Sequence, residues 1–292
     1  MSAQPTANAP LEPAPDEVTE EWREAHLPSV FADWHPYIMR QQAASTAAII
    51  AAAEVAPGFT VLDVGCGSGI PTLALAEAVG PSGRVVAVDP SPIFVAAARE
   101  NARALGLANI EVVQASAAGL PFPGASFDAA TCHMGAMFFP DLRAGLTRIR
   151  QTLRPGRRAA FAAWGPDADN TLFNSFWSAA RPYLPPEAAQ APPPGPDTPA
   201  PMRFADAGSL GAALRDAGFA DVRETTRRFD LVWPGPPATL RDFWLALTGL
   251  ADRIPSERRD ALRADVLASF RRFAAGDTVR LHAPIIIASG RT

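Results

Sequence analysis

The stretch Val61-Leu62-Asp63-Val64-Gly65-Cys66-Gly67-Ser68-Gly69-Ile70, followed by Arg84-Val85-Val86-Ala87-Val88-Asp89-Pro90-Ser91, constrains this chain more than any other. An apolar strand runs into a glycine-dense turn, a helix follows, and a second apolar strand ends in a carboxylate 20 residues beyond Gly69. That order is a βαβ unit of the kind that holds a nucleoside at the carboxyl ends of its strands. Glycine at 65, 67 and 69 lets the backbone approach a ligand where a Cβ would block it, and Asp89 stands where it can accept from both hydroxyls of a ribose.

Which nucleoside is bound depends on the spacing. The turn reads G-x-G-x-G, not the G-x-G-x-x-G that sets a diphosphate over a helix N-terminus. Asp63, two residues before Gly65, would repel a diphosphate but suits a ligand bearing an ammonium or sulfonium. D-x-G-x-G-x-G closely resembles motif I of the class I S-adenosylmethionine-dependent methyltransferases, and Val85-Val86-Ala87-Val88-Asp89-Pro90-Ser91 resembles their motif II. Further matches are Leu120-Pro121-Phe122-Pro123, Ser126-Phe127-Asp128, Phe138-Phe139-Pro140-Asp141, Leu153-Arg154-Pro155-Gly156 and Ala163-Trp164. Together they are similar to the subgroup typified by ubiquinone/menaquinone C-methyltransferases, whose members act on small molecules of many kinds. The resemblance covers about residues 55–163 with specific motifs and the remainder in layout alone, so it speaks to the reaction more than to the acceptor.

Composition narrows the partners. A chain of 292 residues with 48% hydrophobic residues can bury a full core. Net charge is −4 with 19% charged residues, and the arginine pairs at 157–158, 227–228, 258–259 and 271–272 are scattered, so nucleic acid is not expected as a partner. All 26 basic residues are arginine, which reads as GC-rich coding. Cys66 and Cys132 form neither a C-x-x-C pair nor a cluster with the four histidines, so no metal is expected and a reduced, cytoplasmic protein is the plain reading. No apolar run approaches a membrane span, and residues 1–20 do not read as a signal peptide.

The pattern along the chain predicts a Pro-rich disordered tail over residues 1–16 and an N-terminal helical segment over 17–56, with a helix from Pro36 to Val55. A cofactor-binding core over 57–164 alternates strand and helix: strands at Thr60–Val64, Val85–Val88, Ile110–Gln114, Phe127–Cys132 and Arg158–Ala163. Ser91 is read as an N-cap with Pro92 at N1, Gly80 and Gly106 as helix-ending glycines, and Asp141 as the cap of a helix carrying Leu146 and Ile149 on one face. Residues 165–292 complete the sheet. Insertions at 165–205 and 233–278 flank a helix from Asp206 to Ala217 and a sixth strand at Val222–Val232; helical residues Thr239–Ala275 then lead to a last strand at Val279–Ala288. The family resemblance implies a Rossmann-like, doubly wound, seven-stranded, mostly parallel sheet whose last strand is antiparallel. It puts the cofactor at the switch point between strands 1 and 4, with both insertions on the acceptor side as a lid.

The resemblance also implies the site. S-adenosylmethionine, leaving as S-adenosylhomocysteine, would be held by Asp63, Gly65, Cys66, Gly67 and Gly69, by Asp89, Pro90 and Ile93, by Ser116 and Ala117, and by Cys132. Asp63 would orient the turn and face the methionyl ammonium, and Ile93 would pack on the adenine. Ser116 departs from the family pattern, offering a hydroxyl where an acid usually accepts from the adenine amino group; Gln114 is a second candidate there. His133, beside Cys132 at the end of strand 4, is the candidate general base, since histidine titrates near neutrality. His35 and Tyr37 lie in the segment that commonly folds over the cofactor, Tyr37 as a second catalytic candidate. His35, Phe138, Trp177 and Trp244 are candidates for an acceptor pocket whose aromatic lid favours an apolar, aromatic, quinone-like or lipid-like acceptor. The competing readings are an NAD-dependent oxidoreductase, disfavoured by the glycine spacing and Asp63, and a non-catalytic protein that binds S-adenosylmethionine.

Overall fold

The computed structural model describes residues 26–184 and 198–292; the tail over residues 1–16 and most of the Pro-rich stretch 192–201 lie outside the described residues. Five strands run parallel at the heart of the fold: β1 (Thr60–Val64), β2 (Arg84–Asp89), β3 (Ile110–Gln114), β4 (Phe127–His133) and β5 (Leu153–Trp164). Three more follow, β6 (Ala220–Trp233), β7 (Ala274–Ala275) and β8 (Thr278–Arg291). The sheet order is β3-β2-β1-β4-β5-β8-β6, with β8 antiparallel to both of its neighbours. β6 is therefore parallel to the first five strands, as the family resemblance implies.

The sheet has eight strands, not the expected seven, because the chain leaving the last helix turns at Gly276 (φ +60°) and pairs Ala274 and Ala275 with Val279 and Thr278. The N-terminal helices are α1 (His26–Asp33), α2 (His35–Gln41) and α3 (Ala43–Ala52). What periodicity reads as one helix from Pro36 is thus α2 and α3, broken at Gln42. Between strands lie α4 (Ile70–Val79), α5 (Pro92–Ala104), α6 (Leu142–Thr152), α7 (Thr171–Ala180) and α8 (Ser209–Asp216). Asp141 caps α6 as expected, its carboxylate accepting from the Ala144 N–H at 2.8 Å. Ser91 occupies the N-cap position of α5, but its hydroxyl makes no cap bond. The expected helix over 239–275 is three, α9 (Pro237–Thr248), α10 (Leu250–Arg253) and α11 (Ser256–Arg271), because Gly249 (φ +58°) ends the first and Pro255 precedes the last.

Alternation along the parallel strands sends apolar residues to both faces, as a sheet covered by helices on each side requires. Val61 packs with Ile49, Leu75, Val79 and Phe176 on one face; Leu62 and Val64 pack with Leu146, Ile149 and Leu210 on the other. Connections from β1 and β4 leave in opposite directions along the sheet, so their carboxyl ends part and open a crevice. The backbones meet there at glycine: a Cβ on Gly65 would stand 3.5 Å from the Cα of Gly135.

Candidate active site

The crevice opens into a cavity of about 1290 Å³. Single small-ligand sites run to roughly 300–1000 Å³, so this one has room for two ligands side by side. Its floor is the carboxyl ends of β1 to β4: Gly65 to Ser68, Asp89 and Pro90, Ala115 to Ala118, and His133 to Gly135. Over the floor stand α1 and α2 with Phe31 and Gln41, α7 with Phe173 and Trp177, and α9 with Phe243 and Trp244. Described residues of both insertions, among them Phe173, Trp177, Met202, Phe243 and Trp244, thus line the same cavity as the glycine turn.

The turn has the backbone its sequence demands. Gly65, Gly67 and Gly69 take φ of +68°, +53° and +99°, which side chains rarely adopt. A Cβ at Gly67 would meet no protein atom within 4 Å, so the backbone there is bare toward the cavity. Asp89 holds the turn in place: Oδ2 accepts from the Gly67 N–H at 2.9 Å and Oδ1 from the Ser91 N–H at 3.0 Å. Burial raises its carboxyl to about 6, against the opposing pull of those two N–H groups. Each oxygen retains acceptor capacity toward the cavity. From the other side, His35 Nδ1 bonds to the Ser68 hydroxyl at 2.7 Å and Asn101 donates to the Ser68 carbonyl at 2.9 Å, so α2 and α5 both clamp the turn.

Asp63 lies beneath the turn, fully buried, with one oxygen accepting from Thr72 at 2.5 Å and the other from Thr131 at 2.9 Å. It is outside the cavity lining, because strand alternation turns it to the face where α4 begins. Burial raises its carboxyl to about 6, the two threonine bonds acting in the opposite sense. Gly69 heads α4, also outside the lining, and Cys132 is buried under Gly135, where its Sγ would stand 3.0 Å from a Cβ. Cys66 lines the cavity, and burial pushes the thiols of Cys66 and Cys132 up, so neither is a thiolate. Ser116 and Ala117 line it too, the Ser116 hydroxyl accepting from the Gly119 N–H at 3.0 Å. Gln114 donates instead to the Pro90 carbonyl.

Besides Asp63, Gly69 and Cys132, three more predicted site residues lie outside the lining: Ile93, Tyr37 and His35. At the start of α5 the side chain lining the cavity is Phe94, while Ile93 is outside it, one residue out of helical phase. Tyr37 stacks on Trp233 (ring centroids 4.9 Å apart, planes at 25°) and is not in the lining. His35 reaches the turn but does not line the acceptor side. Phe138, Trp177 and Trp244 do line the cavity, Trp244 stacked on Phe176 at 4.8 Å and edge-on to Phe173 at 5.3 Å.

His133 lines the cavity at the end of β4, followed by Met134 in the left-handed region (φ +59°), a strained backbone of the kind found at functional sites. Burial lowers the imidazole to about 4, so the ring is neutral at pH 7. Its Nε2 lies 2.9 Å from the Ser45 hydroxyl of α3, which also reaches Gln42. Neither Ser45 nor Gln42 carries any local signature in the sequence; nor do Phe31 and Gln41, which only the docking of α1 and α2 brings in. The indole N–H of Trp244 and the side-chain amide nitrogen of Gln41 have no hydrogen-bond partner among the described residues. Also among the described residues, no group of His, Cys, Asp and Glu could hold a metal ion, and no helix is long and apolar enough to cross a membrane.

Comparison with known proteins agrees with this geometry. Residues 61–156 match the family model described as a methyltransferase domain. Nocamycin O-methyltransferase of Saccharothrix syringae is 32% identical over 251 residues, covering 80% of this chain and 86% of that protein. Demethylmenaquinone methyltransferase of Bacillus cytotoxicus is 39% identical over 103 residues, 35% of this chain and 44% of that one. Among solved structures, the YcgJ protein of Bacillus subtilis superimposes with a TM-score of 0.53 at 20% identity, covering 86% of this chain and 98% of its own, a likeness of fold.

Proposed function

The chain belongs to the class I S-adenosylmethionine-dependent methyltransferases, with a quinone-methyltransferase-like motif region, and from that premise we propose that it methylates a small, apolar or aromatic, hydroxyl-bearing acceptor held under the α7–α9 wall. Membership removes the nicotinamide alternative, and the methyltransferase names of the relatives favour catalysis over binding alone. The observation that carries the acceptor class is the cavity itself: beyond the glycine turn, its walls include six aromatic side chains, Phe31, Phe138, Phe173, Trp177, Phe243 and Trp244, with Asp141, Arg203 and Asp206 also in the lining. Such a surface gives aromatic and apolar molecules contact area. The names of two relatives, one an O-methyltransferase and one acting on demethylmenaquinone, point the same way.

S-adenosylmethionine fits the floor. The bare backbone at Gly67 accepts close approach, Asp89 offers its remaining acceptor sites to the ribose diol, Phe94 offers a ring face to the adenine, and Ser116 and Ala117 edge the same end. Asp63 contributes a buried negative charge under the turn, which favours a cation above it. Bound there, the cofactor supplies an electrophilic methyl group whose departure leaves a neutral thioether. The protein's part is then positioning, exclusion of water and, for an acceptor that must lose a proton, a base. His133 is that base. Incubation with methyl-labelled S-adenosylmethionine and a panel of phenols, enols, quinols, amines and sugars, read by mass spectrometry, tests the reading. Label is expected in a hydroxylated aromatic or polyketide-like compound; label confined to sugars or to nothing apolar would overturn it.

Two further results follow. Because ribose hydroxyls bond the ionised carboxylate best, complex formation must lower the Asp89 pKa from about 6. Affinity for S-adenosylhomocysteine is therefore full above pH 7 and falls as pH drops through about 6, by about tenfold per pH unit until the bound-state pKa is reached. Calorimetry from pH 5 to 8 checks this, and Asp89→Asn should flatten the part of the curve that Asp89 contributes. A wild-type affinity constant across that range would mean that Asp89 does not touch the ligand.

The second concerns the wall. Trp244→Ala should raise the acceptor KM by roughly tenfold or more, the loss of an aromatic contact worth about 1.4 kcal/mol, with S-adenosylhomocysteine affinity nearly unchanged. The variant should also unfold at lower temperature, since a large buried aromatic truncated to Ala costs about 3–5 kcal/mol. An unchanged KM for every acceptor, with the cofactor site intact by calorimetry, would remove α9 from the acceptor pocket.

A further inference from the structure

The Ser45 hydroxyl is buried between three polar atoms, each 2.9 Å away: the Gln42 backbone carbonyl, the Gln42 side-chain carbonyl Oε1 and His133 Nε2. A hydroxyl has one proton to give and two lone pairs to accept with. The Gln42 backbone carbonyl already accepts from the Thr46 N–H at 2.9 Å, but Gln42 Oε1 has no other donor among the described residues, so a Ser45 proton pointed at His133 would leave Oε1 facing an oxygen with nothing between. The arrangement that satisfies every atom sends the Ser45 proton to Gln42 and has Nε2–H donate to Ser45 Oγ. The ring is then the Nε2–H tautomer, with its lone pair on Nδ1, which has no partner among the described residues, while the residue lines the cavity. Since Ser45 and Gln42 sit at the break between α2 and α3, the same segment that clamps the glycine turn through His35 also orients His133.

We infer that Ser45, backed by Gln42, is a positioning residue that holds His133 as the Nε2–H tautomer and presents Nδ1 to the acceptor, whose reacting group must therefore carry a proton to donate, as a phenol or enol hydroxyl does. The inference rests on the reading of His133 as the base. In the step it serves, the proton leaves the acceptor oxygen for Nδ1, the oxygen keeps the electron pair with which it attacks, and the imidazolium returns the proton to water afterwards. A hydrogen bond on the far side of a histidine deciding which nitrogen works is a general device of imidazole chemistry.

The test is long-range proton–nitrogen NMR of protein labelled at its histidines with nitrogen-15, the His133 signals assigned by their absence in His133→Gln. The expected spectrum at pH 7 has Nε2 at the protonated and Nδ1 at the unprotonated position; in Ser45→Ala the pattern should move toward a mixture of tautomers. Turnover of Ser45→Ala should fall about tenfold, with S-adenosylhomocysteine affinity unchanged, and Ser45→Thr, which keeps the hydroxyl, should recover most of it. A wild-type ring protonated on Nδ1 would overturn the inference, as would a Ser45→Ala protein whose tautomer and turnover match wild type. The spectrum reads the tautomer without any methyl transfer, so it stands even if His133→Ala proves fully active and the base reading fails.

Discussion

His133→Ala is expected to lower kcat by a factor on the order of a hundred or more, the range in which a positioned proton acceptor contributes, while affinity for S-adenosylhomocysteine stays within a few-fold of wild type. The split follows from where the residue stands. It closes β4 on the cavity, its ring is held from behind by Ser45 and it makes no bond to the glycine turn or Asp89. Because burial holds the ring at about 4, it is a neutral acceptor throughout the working range, and its protonation removes activity only as pH falls through about 4. A ring this weakly basic takes the proton as the new bond forms, not beforehand. An acid limb near pH 6 would instead come from Asp89 and Asp63 and appear in the cofactor KM. Single-turnover rates with saturating cofactor check the prediction; an unchanged rate where chemistry limits turnover would make His133 a bystander.

Asp89→Ala should weaken S-adenosylhomocysteine binding by about 1–3 kcal/mol, roughly five- to 150-fold, as expected for hydrogen bonds to a charged acceptor. Two losses add. The ribose diol loses its acceptor, and the Gly67 and Ser91 N–H groups lose theirs, so the turn relaxes at the point where the backbone is bare toward the ligand. Asp89→Asn keeps an acceptor for one of them and should fall between. Calorimetry with both variants checks the order; equal affinity across the series would detach Asp89 from the cofactor.

Why some of this site was legible in the sequence and some was not has a physical reason. The glycine turn and Asp89 are contiguous with strands whose direction fixes their geometry, so the motif carries its own three-dimensional meaning. Asp63 belongs to the same motif, yet strand alternation sends its carboxylate away from the cavity, to Thr72 and to Thr131, 68 residues on. The first turn of α5 illustrates a finer limit: 3.6 residues per turn means that a one-residue change of phase decides whether Ile93 or Phe94 lines the cavity. Tyr37 meets Trp233 and His133 meets Ser45, 88 residues away, through the docking of α2 and α3, and no local pattern encodes such pairs. The same holds for β7, whose two alanines form a strand only because β8 lies alongside.

A crystal structure of the protein with S-adenosylhomocysteine tests most directly whether the turn, Asp89 and the aromatic wall form one active site. The expected result has both ribose hydroxyls within hydrogen-bonding distance of the Asp89 carboxylate, the adenine against Phe94, and the sulfur turned toward His133 and the Trp244 wall. A nucleoside bound away from Asp89, or a sulfur turned away from the aromatic half of the cavity, would contradict it.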